Sequence, residues 1–73
     1  GSARIIRESG LMPGHSLRLA VLIDADNVAA SLAAALISKV KEVGTATMRR
    51  AYGNASGLAN WATPIERWSI LPM

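Results

Sequence analysis

The chain is predicted to be α/β, a β-α-β-α-β succession folding into a small parallel sheet of strand order three-two-one. A continuous apolar run at residues 17–23 ends on Asp24, and an alanine-rich stretch with apolar residues at spacings of three and four follows it. An alternating segment at residues 45–52 then leads into a second helical stretch and a terminal Ile70-Leu71-Pro72-Met73. Apolar runs, helical spacing and alternation are the primary signals of these elements. Strand–helix–strand units close right-handed, so two consecutive units set three strands side by side in chain order.

Residues 17–23 are broken only by Arg18, which suits a central parallel strand covered on both faces. From Val28 to Val43 the apolar positions Leu32, Ala35, Leu36, Val40 and Val43 make a helical stripe, with Asp26 or Asn27 available to cap its start. Gly44 is the expected stop. Thr45 to Tyr52 alternates and is β-branched and aromatic at its ends, so it reads as the second strand. Leu58 to Trp68 reads as a helix that kinks or restarts at Thr63, because Thr63-Pro64-Ile65-Glu66 matches a capping box with proline at the first helical position. Residues 69–73 form a short third strand, and Pro72 argues for an edge position.

Residues 1–16 stand apart. Gly1-Ser2 has the look of a tag remnant, and the segment to His15 carries only a weak apolar pattern ended by the Pro13-Gly14 turn signal. A flexible or briefly helical segment is expected there. His15 is the sole histidine, without a cysteine or second histidine for a metal site.

A chain of 73 residues buries only about 60% of its unfolded surface, and cysteine is absent, so no disulfide or thiolate zinc site staples it. The hydrophobic fraction of 51% suggests that part of the apolar surface is meant for more protein. No apolar run approaches the ~20 residues of a membrane span, since Asp24, Asp26 and Asn27 interrupt the longest. A cytoplasmic protein is expected. Eight Lys/Arg against five Asp/Glu give a formal charge of +3, compatible with a polyanion but partly contributed by Arg4 and Arg7. Gly53 and Gly57 form neither a GxGxxG nor a Walker pattern, which argues against nucleotide-dependent chemistry.

Two motifs carry a resemblance. Val21-Leu-Ile-Asp24-Ala-Asp26-Asn27-Val28 before a helix, followed by Ala46-Thr-Met-Arg-Arg-Ala-Tyr-Gly53, resembles the opening half of an NYN domain, a PIN-like family with LabA-type members. The similarity runs over residues 17–73, with Ile70-Leu-Pro-Met as the third strand. It implies a truncated Rossmann-like, PIN-like sheet and a metal-dependent ribonuclease chemistry, in which an acidic cluster holds Mg²⁺ or Mn²⁺ beside RNA. On that resemblance Asp24 is the catalytic residue and metal ligand, a metal-binding role carries over to Asn27 at its matching first-strand position, and the neighbouring Asp26 is placed with Asp24 as a metal residue. NYN domains continue into further strands whose Asp residues, often Ser-Asp-x-Asp-Phe, complete the cluster, and these have no counterpart here.

The residues themselves leave alternatives. Asp24 suits a divalent cation or a helix cap, and Asp26 faces either the same pocket or a helix N-terminus. Asn27 orients a substrate or caps. Arg49 and Arg50 lie on opposite faces of a strand, so at most one lines the catalytic side and contacts phosphate. Tyr52 and Asn54 sit on the rim shared with Asp24, where the ring stacks a base or packs in the core. Trp61 and Trp68, seven apart, read as core or interface.

Two function classes follow: a metal-dependent ribonuclease, and a noncatalytic α/β fragment that at most binds nucleic acid weakly. Asp24 and Asp26 are the only Asp residues, and the three Glu fall in the tail and on each helix, so one subunit supplies no convergent cluster of three or four carboxylates. The expected partner is a second copy, bound through the bare edge of residues 17–23 or through the apolar sheet face, with RNA as a further ligand.

Overall fold

The computed structural model describes residues 3–11 and 17–73. The chain order is β1 (Ala3–Leu11), β2 (Leu17–Asp24), a 3₁₀ turn (Ala30–Leu32), α1 (Ala33–Val43), β3 (Thr45–Tyr52), α2 (Ala55–Asn60), α3 (Ala62–Arg67) and β4 (Leu71–Pro72). The fold is α/β, a mixed four-stranded sheet of order β1-β2-β3-β4. β2, β3 and β4 run parallel, and β1 is antiparallel to β2. His15 and residues 12–16 lie outside the described residues.

β1 is the main departure from the sequence reading. Residues 3–11 were expected to be flexible or briefly helical, yet they pair with β2 from Ala3 opposite Ile23 to Leu11 opposite Leu17, with a register irregularity between Arg7 and Leu11. The bare edge of an apolar strand is a template for another strand, and β1 fills it. Self-association through that edge is therefore corrected: its backbone groups already face β1.

Both crossovers advance in the same direction across the sheet, so right-handedness places their helices on one face. There Leu19, Val21 and Ile23 of β2 meet Ala33 and Val40 of α1, Ala51 of β3, Trp61 between α2 and α3, and Ile70. All are buried, and Val21, Ala51 and Trp61 are wholly so. The indole N–H of Trp61 donates to the carbonyl of Val28 at 2.8 Å, which satisfies the one polar atom this large side chain takes inside. Alternation sends Ala20, Leu22 and Asp24 to the opposite face, beside Met48, Arg50 and Tyr52 of β3.

Helix boundaries differ from expectation for local reasons. After β2 the carbonyl of Asp24 accepts the N–H groups of Asn27 and Val28, making a tight turn, so helical geometry begins only at Ala30 and α1 at Ala33. Neither Asp26 nor Asn27 caps α1. The second helical stretch breaks at Trp61 rather than Thr63, and Trp61, not Thr63, is the N-cap of α3. The capping box does not form. Pro64 is buried in the first turn of α3, where its missing N–H has no intrahelical role. Pro72 lies in the edge strand β4, where Met73 N–H donates to Ala51 O at 2.9 Å.

Two residues test these connections. Gly44 ends α1 with extended backbone, and a Cβ there would lie 2.5 Å from the carbonyl oxygen of Leu17, so β2 and the helix end approach too closely for a side chain. Gly44→Ala is expected to destabilise the fold by about 1–3 kcal/mol, the usual cost of overpacking, in urea denaturation. Ser69 has φ 52°, the left-handed position that ends α3, and Ile70 N–H returns to Ile65 O at 3.0 Å in the manner of a Schellman cap. Ser69→Gly is expected to stabilise by about 0.5–1 kcal/mol once the greater entropy of unfolded glycine is subtracted, raising Tm by roughly 2–8 °C.

Candidate functional site

The carboxyl ends of β2 and β3 bring the sequence candidates to one rim. Asp24 and Tyr52 are register partners, and Ala25 N–H donates to Tyr52 O at 2.7 Å, extending the parallel pairing one step beyond β2. Asp24 is half-buried. Its Oδ1 accepts Asp26 N–H at 3.2 Å, and its Oδ2 accepts the Asn27 side-chain amide at 2.7 Å. The turn after the strand thus wraps around this carboxylate and fixes its direction. Asn27 serves Asp24, not a helix terminus.

Asp26 takes a third course, neither toward Asp24 nor to the start of α1. Its two carboxylate oxygens both lie 3.1 Å from the backbone nitrogen of Asn54, whose N–H they accept. Asn54 in turn caps α2, its side chain accepting Gly57 N–H at 2.8 Å. The carboxylate occupies space that glycine alone leaves open: a Cβ on Gly53 would approach Asp26 Oδ1 to 2.9 Å, and one on Gly57 would overlap that same oxygen. Asp26, Asn54, Gly53 and Gly57 form a latch between the β2 turn and the entry to α2. Sequence reading took Gly53-Asn54 as a turn and missed the latch, although an Asn three residues before a Gly opening a helix is the pattern of a side-chain cap.

Arg49 and Arg50 separate as strand alternation requires. Arg49 lies on the helix face, and its Nη1 donates to Trp68 O at 3.1 Å. Arg50 lies on the open face, between Leu22 and Leu71 in register. It shares that face with Asp24 and Tyr52. Tyr52 is 40% exposed, so the ring is not core and is available at the rim.

Among the described residues no three His, Cys, Asp or Glu side chains converge to hold a metal. With Asp26 turned to Asn54, Asp24 is, among the described residues, the single carboxylate left at the strand ends, and the donor set does not fit a resident Mg²⁺ or Mn²⁺. Such ions take several oxygen ligands and discriminate by geometry. No helix is long and apolar enough to cross a membrane. No family model, curated protein or solved structure matches the chain.

The latch makes a coupled prediction. Asp26→Ala is expected to cost about 0.5–1.5 kcal/mol, the net worth of its bond to the exposed Asn54 N–H. Gly57→Ala is expected to destabilise the native chain but cost markedly less in the Asp26→Ala background, since the overlapping oxygen is then gone. A double-mutant cycle by thermal denaturation reads the difference directly, and strictly additive effects exclude the latch.

Proposed function

We propose that this chain corresponds to the first half of a metal-dependent ribonuclease domain of the NYN/PIN-like kind, with Asp24 as its first-strand metal ligand, and that it is catalytically incomplete by itself. The observation that carries the reading is the position of Asp24: at the carboxyl edge of parallel strands, directed by its own turn, with Tyr52 beside it. In open α/β sheets ligands bind outside the carboxyl ends of the strands. In a metal-dependent nuclease the metal would activate water and hold developing charge, and one carboxylate does not organise that ion.

In this reading Asn27 orients Asp24. Arg50 and Tyr52 are the RNA-contacting candidates on the same face, while Arg49 and Asn54 serve the fold. A noncatalytic chain that binds nucleic acid weakly is the second reading, favoured by Asp26 being committed to Asn54.

Two measurements separate them. Fluorescent single-stranded RNA incubated with Mn²⁺ and either the native chain or Asp24→Asn is expected to give equal traces; cleavage lost in the variant overturns incompleteness. Excess Mn²⁺, which this lone carboxylate would hold only weakly, is expected to broaden the amides of residues 24–27 first and to lose that preference in Asp24→Asn. Broadening with no such preference removes Asp24 as a ligand and leaves the noncatalytic reading.

A further inference from the structure

Parallel strands ordinarily carry helices on both faces, yet here every helix among the described residues lies on one. The opposite face is patterned. Register places Arg4, Leu22, Arg50 and Leu71 in one row across the four strands, and Ile6, Ala20 and Met48 in the next. Arg18, two residues before Ala20 in β2, shares the face by alternation. Ile6 is 42% exposed and Leu71 53%, while Ala20 at the centre is small and sunk between its neighbours. The result is an aliphatic trough along β2 with guanidinium groups beside it.

The spacing selects an occupant. Arg4 and Arg50 stand on the strands flanking β2, two strand spacings or about 9.5 Å apart. A helix with its side chains is about 10–12 Å across, so one lying over Ala20 and Leu22 is bracketed by both arginines. Arg4, Arg18 and Arg50 make no ion pair among the described residues. The geometry points to an amphipathic helix with an apolar stripe and acidic flanks as the partner of this face.

Charge argues against a second copy, which brings the same three arginines against these, while Asp24, the acid among the described side chains of this face, is held at the rim by its own turn. Nor does a helix of this chain supply the acidic flank: α1 pairs Glu42 with Lys39 and also carries Lys41, and α3 has Arg67 next to Glu66. RNA stacking on this face is confined to Tyr52 at the carboxyl rim, because the centre, formed by Ile6, Ala20, Leu22 and Met48, offers no aromatic ring for a base.

The test uses two synthetic amphipathic helical peptides sharing a leucine stripe, one flanked by glutamates and the other by lysines. Titrated into the isotopically labelled chain, the glutamate peptide is expected to shift the amides of Ala20, Leu22, Met48 and Leu71, and the lysine peptide is not. In the Arg4→Glu/Arg50→Glu variant the glutamate peptide should weaken by about tenfold or more and the lysine peptide should gain, since facing charges set specificity. Equal binding of both peptides by the native chain, or shifts confined to the helix face, overturns the proposal without recourse to the variant. So does a single-stranded RNA oligonucleotide that shifts the same amides more tightly than the glutamate peptide. Shifts of these amides that depend on the chain's own concentration alone also overturn it, assigning the face to a second copy.

Discussion

The Trp61 indole, buried completely and hydrogen-bonded to Val28 O, is the interaction on which the rest of the helix layer depends. Trp61 sits where α2 ends and α3 begins, and Val28 lies in the turn leaving β2, so one side chain ties both crossovers to the central strand. Removing a buried tryptophan typically costs about 3–5 kcal/mol. A chain of this size has roughly 4–11 kcal/mol of total stability, so this single residue carries a large part of it. The break at Trp61 follows: the backbone leaves helical geometry (φ −95°, ψ 6°) at the residue whose ring must turn inward.

The latch at Asp26 shows how a small chain divides its polar groups. Two carboxylates lie two residues apart, and the turn sends them in different directions. Asp24 stays at the strand ends, held by Asp26 N–H and the Asn27 amide, while Asp26 secures the entry to α2 through Asn54. A carboxylate engaged with a neighbouring connection in this way is turned away from Asp24. The fold therefore limits the site, because its connection between β3 and α2 consumes one of the two acids that the sequence places nearby.

What was legible in the sequence was local. The apolar run of β2, the alternation of β3, Gly44 at the end of α1 and Pro72 in an edge strand each announce themselves within a few residues. β1 did not, because Ile5-Ile6 between arginines has no clear period, and its extension is imposed by the unpaired edge of β2. The partner of Asp26 was equally hidden, being 28 residues away. At the candidate site, the placement of Asp24 and Tyr52 on one rim could be read from strand ends, and the opposite faces of Arg49 and Arg50 from alternation. The exposure of Tyr52 could not, since it depends on which face the helices leave uncovered.

Both borders of the sheet are blunted. On one side β1 is irregular between Arg7 and Leu11 and carries charge at Arg4 and Arg7; on the other, β4 is two residues long and one of them is proline. Charge, irregular pairing, brevity and proline are the devices that stop strands from adding to a sheet. Neither border therefore offers a long, regular edge free of charge and proline, and a further strand would meet an obstacle on either side of the sheet.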